Sequence, residues 1–193
     1  IDRSRGLGDV YKRQKFNKMR NFILLTVLSF VTFSCDVPAK QEAEMERAPG
    51  FLRAGGEQIN ATDASPENLD IWDKYIDAHN NRDLELIASM NIDSTQMGEF
   101  RILAPNGQVI RGSDTQIEFL KGWFEAENPT WRTYFSYTMK LDGQNGEWVI
   151  SGAEVKKTVD GTEVTTYDVA DVYIEDGKIG AFWVYTRAAV PTE

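Results

Sequence analysis

TWRTYFSYTMKLDGQNGEWVISGAEVKKTVDGTEVTTYDVADVYIEDGKIGAFWVYTR, residues 130–187, decides the fold. Runs rich in Val, Ile, Thr, Tyr, Phe and Trp are broken by Asp142-Gly143, Asn145-Gly146, Asp160-Gly161 and Asp176-Gly177. Such dipeptides favour tight hairpin turns. The pattern predicts strands at about 130–141, 147–157, 162–174 and 178–187, with no helix between them. Direct connection by tight turns makes successive strands antiparallel neighbours. Strands of ten or more residues span about 33 Å, so the sheet must twist and curl. Alternation along the first strand puts Trp131, Phe135, Tyr137 and Met139 on one face, and Arg132, Tyr134 and Lys140 on the other. The last strand is apolar on both faces, with Phe182 and Val184 opposite Ala181, Trp183 and Tyr185.

Working outward, Ser65-Pro66-Glu67-Asn68 is a helix start, with Ser65 as a cap and Pro66 at the first helical position. Leu69, Trp72, Tyr75, Ile76 and His79 then recur at three and four, one face of an amphipathic helix. A second helix is expected over Leu84 to Met90, entered through Asn80-Asn81-Arg82-Asp83. A third starts at Gly112-Ser113-Asp114-Thr115-Gln116, a capping-box spacing, and buries Ile117, Leu120 and Trp123 or Phe124 before Asn128-Pro129 closes it. Helices grouped ahead of the strands must cover one face of the sheet, which makes the fold α+β.

The order Tyr75-Ile76-Asp77-Ala78-His79-Asn80-Asn81-Arg82-Asp83-Leu84-Glu85, then Pro105-Asn106-Gly107 with Arg111-Gly112, then Glu175-Asp176-Gly177-Lys178-Ile179, resembles the nuclear transport factor 2-like superfamily, in particular its SnoaL-like branch. The resemblance covers about 66–187. It implies a cone-shaped, curled antiparallel sheet wrapped on three N-terminal helices, with an open-ended pocket between them. It also implies a homodimer through the outer sheet face. That superfamily contains enzymes such as ketosteroid isomerase and polyketide cyclases, and also non-catalytic modules, so the fold alone does not settle function.

In the isomerase-like members a Tyr on the first helix donates a hydrogen bond to a developing oxyanion, and an acid on the first strand abstracts a proton. Tyr75 stands at the matching helix position, and Glu99 falls where the base would be. A second acid of that site aligns with Ala170, and Asp168 shares its face two residues earlier. His79 lies one turn after Tyr75. It reads either as a hydrogen-bonded core histidine or as a general base beside Glu99. Most of the aromatic residues read as core and dimer interface, whereas Trp72 and Trp131 are expected to line a pocket for a flat apolar ligand. With Tyr75 and Asp168 they make up the expected ligand-binding set. No Gly-rich phosphate loop, nucleophile elbow or metal-spaced carboxylate set occurs, so neither metal nor cofactor is expected.

The chain has 193 residues, of which 41% are hydrophobic and 26% charged, with one Cys, one His and a net charge of -9. One Cys forms no internal disulfide, and one Cys with one His makes no ordinary zinc site. An acidic balance disfavours nucleic acid as a partner. Residues 1–18 precede the expected start at Met19, and residues 5–14 among them resemble a translated sequencing-library transposon end. Residues 19–34 read as a signal peptide: Arg20, the apolar run Phe22 to Phe33, then Ser34 before Cys35. That cysteine resembles the acylated residue of bacterial lipoproteins, placing the protein in the periplasm or at the cell surface. Residues 1–34 hold seven basic and two acidic residues, which leaves 14 basic and 28 acidic and a net charge of -14. Membrane residence would then rest on the acyl chains alone. Residues 35–65 read as a flexible tether, 66–187 as the domain and 188–193 as a tail. The expected function is binding of a small apolar molecule in the cone pocket by an exported, lipid-anchored domain. The alternatives are an acid/base isomerase or cyclase and a protein-interaction module using the sheet face.

Overall fold

A computed structural model of the chain describes residues 48–189. Cys35, the signal segment, the first part of the expected tether and residues 190–193 lie outside the described residues. Ten strands and three helices follow in chain order: β1 (Gly50–Ala54), β2 (Glu57–Thr62), α1 (Glu67–Asn80), α2 (Leu84–Met90), β3 (Ser94–Thr95), β4 (Gly98–Glu99), β5 (Arg101–Leu103), β6 (Val109–Arg111), α3 (Ser113–Glu127), β7 (Thr130–Leu141), β8 (Glu147–Val159), β9 (Thr162–Glu175) and β10 (Lys178–Ala188). The last four strands begin where the turn dipeptides place them and overrun the expected ends by no more than two residues.

Eight strands form one sheet in the order β1-β2-β7-β8-β9-β10-β5-β6. The architecture is α+β, as expected, but the sheet is mixed rather than wholly antiparallel. Strand β5 joins the free edge of β10 in parallel, Ala181 opposite Arg101 and Trp183 opposite Leu103. The β5–β6 hairpin belongs to the helical half of the chain and enters the sheet at the edge that the last strand leaves open.

Two features depart from the expected pattern. Of the supposed tether, residues 50–62 form the β1–β2 hairpin, which pairs with the end of β7 through Ala61 opposite Leu141 and Thr62 opposite Lys140. Strand β7 also carries a bulge between Thr133 and Phe135. An extra residue reverses which face later side chains take. Trp131 therefore faces the helices, while Phe135 and Tyr137 lie on the opposite face, not on the shared face that simple alternation predicts.

The core lies between the helices and the inner sheet face, with Trp72, Tyr75, Ile87, Phe100, Val149 and Val172 among its buried members. Helix α1 buries Asn68, Trp72, Tyr75, Ala78 and His79, all on one helical face. The expected capping box of α3 is not made. Gly112 precedes the helix and no side chain caps it; Gln116 is instead buried in the core.

Candidate functional site

Between α1, α3 and the inner sheet face lies a cavity of about 510 Å³, within the range that holds small organic ligands. Its wall is mostly apolar. Helix α1 contributes Trp72, Tyr75 and His79, spaced at three and four so that they share one face, and β7 contributes Trp131 ahead of its bulge. The exposed lining residues Pro105, Asn106, Gln108, Phe119 and Thr186 mark the mouth.

Tyr75 is completely buried, and its hydroxyl is fully engaged. It donates to Asn91 Oδ1 at 2.9 Å and accepts from Gln116 Nε2 at 2.7 Å. Asn91 Nδ2 in turn donates to Gln116 Oε1 and to Ser113 Oγ, both at 2.8 Å. A tyrosine has one proton to donate, so the oxyanion-donor role expected of Tyr75 has no free hydrogen behind it. Burial pushes its phenol well above the ordinary value.

His79 stands 2.7 Å through Nδ1 from the Tyr75 carbonyl. A carbonyl only accepts, so Nδ1 carries the proton and Nε2 keeps its lone pair. Burial disfavours the charged ring and pulls its pKa down to about 4, helped by the nearby Arg82 guanidinium. The ring contacts Tyr75, Phe124 and Trp131 at centroid distances of 4.6, 6.3 and 5.6 Å. His79 is thus a neutral member of an aromatic wall and a weak base.

Glu99, the expected proton acceptor, is exposed at the end of β4 and is not among the cavity-lining residues. The short β3–β4 hairpin turns the chain so that its successor Phe100 takes the buried position. Tyr75 and His79 meet at one cavity; Glu99 does not join them. Ala170 lines the cavity without chemistry, and two residues earlier on the same strand Asp168 brings a carboxyl group into the lining. Its Oδ1 accepts from Thr186 Oγ1 at 2.6 Å on the adjacent strand. Burial raises its pKa, partly offset by the Thr186 hydrogen bond and by Lys157. Lys157 itself is held 2.7 Å from Glu127, across from β8 to the end of α3.

Trp72 is buried, and its Nε1–H has no hydrogen-bond partner among the described residues. A buried donor left unpaired is costly, and this one is closed off from the cavity space as well as from solvent. Trp131 is fixed through its backbone, which accepts from Asn80 Nδ2 at 2.9 Å and donates to Asn80 Oδ1 at 2.8 Å. That amide clamp ties the start of β7 to the end of α1. No three His, Cys, Asp or Glu side chains converge on a possible metal position among the described residues. Sequence reasoning missed Asn91 and Gln116, which hold Tyr75, and the Lys157–Glu127 pair at the wall.

No protein-family model matches the chain, and no curated protein matches it in sequence. Solved structures do match in shape. A putative SnoaL-like polyketide cyclase from Jannaschia sp. CCS1 superposes with a TM-score of 0.51 at 18% identity, over 65% of this chain and 90% of that one. An LEH-like epoxide hydrolase from M. tuberculosis gives 0.51 at 12% identity, over 63% and 83%. Bal32a, from a soil-derived mobile gene cassette, gives 0.51 at 8% identity, over 62% and 88%.

Proposed function

We propose that this chain, whose fold is the SnoaL-like, nuclear transport factor 2-like cone, binds a small apolar molecule in its cavity without transforming it. The observation that carries the reading is the cavity itself: about 510 Å³ and aromatic-walled, with Trp72, Trp123 and Trp131 in its lining. The polar set that an isomerase-type reaction requires is not gathered there, since the Tyr75 hydroxyl is engaged and Glu99 lies elsewhere. In the same reading the domain is exported and anchored through acylated Cys35, supported by the segment from Met19 to Ser34. Labelled fatty acid should then enter the wild-type chain and not Cys35→Ala.

Binding is tested with 1-naphthalenemethanol, a neutral flat probe whose emission reports its surroundings. Saturable binding is expected, weakened about tenfold or more by Trp131→Ala, because a stacked aromatic wall is worth ~1.5 kcal/mol beyond simple burial. Glu99→Gln should leave it unchanged. Absence of saturable binding would remove the reading.

A second reading, an acid/base enzyme, has one observation in its favour: Asp168 stands in the cavity wall with a raised pKa. The neighbours named as cyclase and epoxide hydrolase fit such chemistry. Turnover by the wild type that Asp168→Asn abolishes, with binding retained, would decide for it.

A further inference from the structure

The charges of the wall are not balanced. Three ionisable groups other than His79 and Tyr75 line the cavity: Glu127, Lys157 and Asp168. Lys157 is the one basic side chain of that lining. It is committed to Glu127 at 2.7 Å, in a cluster where Trp123 Nε1 also donates to Glu127 at 2.8 Å and Lys157 Nζ stands 6.0 Å from the Trp123 ring centroid. Asp168 forms no ion pair among the described residues. Its one side-chain partner there is the neutral Thr186 hydroxyl on Oδ1, which leaves Oδ2 without a donor. Lys157 acts on it only from a distance, and a half-buried carboxylate with no cation in direct contact is an unfavourable arrangement that a bound cation would relieve. The rest of the wall suits the same visitor. Trp72, Trp123, Trp131 and Phe182 surround the space, and aromatic faces attract cations as well as flat apolar bodies.

Resting on the binding reading above, we propose that the ligand class is a lipophilic amine: a protonated nitrogen set against Asp168, joined to a flat apolar body lying along the tryptophan wall. A neutral molecule of the same shape would gain the apolar burial and at most a hydrogen bond to Asp168, without the attraction of opposite charges. An anionic one would meet Asp168 with like charge.

Three probes of matched shape separate these cases: 1-naphthalenemethylamine, 1-naphthalenemethanol and 1-naphthoate, titrated into the full chain at pH 7 by calorimetry. The amine should bind about tenfold tighter than the alcohol, the size expected of one partly desolvated charge-assisted contact, and the carboxylate weakest. Asp168→Asn should bring the amine down to the alcohol while changing the alcohol far less, and saturable binding of the alcohol by the variant reports that the cavity is intact. Glu127→Gln frees Lys157 to neutralise Asp168 and should narrow the amine preference, and it decides the matter if Asp168→Asn fails to fold. An amine that binds no better than the alcohol, or a preference that survives both substitutions, overturns the proposal while leaving the cavity a binding site. Failure of all three probes to bind overturns the binding reading itself, and the proposal with it.

Discussion

His79 is kept neutral twice over, by a carbonyl that takes its Nδ1 proton and by a ring of aromatic neighbours that would not solvate a charge. The folded protein takes up this proton only near pH 4, whereas the unfolded chain takes it up near 6.5. Above pH 6.5 the ring is neutral in both states and titration changes nothing. As pH falls from 6.5 toward 4, the unfolded state binds more protons, so stability falls, by on the order of 3 kcal/mol at about 1.36 kcal/mol per unit. Arg82 is the charged group acting on this ring, and it reinforces the effect. His79→Gln keeps an amide donor for the carbonyl but does not titrate. Urea midpoints at pH 7 and 4.5 should therefore fall further apart for the wild type than for the variant; equal separations would show that His79 does not govern the acid limb. At this scale Trp72, Tyr75 and His79 were legible, because three-and-four spacing marks the buried face of a helix. Asn91 and Gln116 were not. Their partners lie 25 and 41 residues away, and a polar side chain buried by distant partners leaves no local pattern. Glu99 was misplaced because the tight β3–β4 hairpin, a turn of two residues, shifts the alternation by one face.

Strands β7 and β8 meet at a point where one has an extra residue and the other has no side chain. A Cβ at Gly152 would stand 2.1 Å from the Phe135 ring, and one at Gly146 would stand 2.4 Å from the Ile174 carbonyl oxygen and 2.5 Å from the Tyr173 ring. The obstacles differ in their freedom to move. Phe135 is 38% exposed and its ring can swing outward, whereas Tyr173 is completely buried and the Ile174 backbone belongs to the sheet. Gly146→Ala should therefore cost about 1–3 kcal/mol, the usual range for overpacking, and Gly152→Ala clearly less. Chemical denaturation of both variants checks the order, and a larger loss for Gly152→Ala would contradict it. The long strands were legible because Asp-Gly and Asn-Gly punctuate them. The β7 bulge was not, since apolar residues continue across it in unbroken alternation. Nor was the β1–β2 hairpin, whose residues are mostly exposed on both faces and so show neither a buried period nor an apolar run.

Across the whole domain, the sheet face turned away from the helices carries more aromatic surface than a solvated face needs. Tyr134, Phe135, Tyr137 and Tyr185 are 49%, 38%, 52% and 54% exposed there, beside Trp148 and Trp183, whose rings lie 5.5 Å apart. Exposed apolar patches of this kind mark contact surfaces. A dimer through this face is the expected state, and Tyr137→Lys combined with Tyr185→Lys should shift sedimentation to the monomer without loss of probe binding. A wild-type monomer at micromolar concentration would refute it. The parallel seam between β5 and β10 has a different kind of consequence. Arg101 finds its partner Ala181 80 positions further along the chain, and the final strand is the one that provides the edge. As the chain folds, then, the short β5–β6 hairpin has no place in the sheet until the last strand is available to pair with it. The domain can complete itself only once that strand has joined. Contacts of such long sequence separation slow folding and keep apolar strands unprotected in the interval, a cost that falls on the nascent chain and not on the finished molecule.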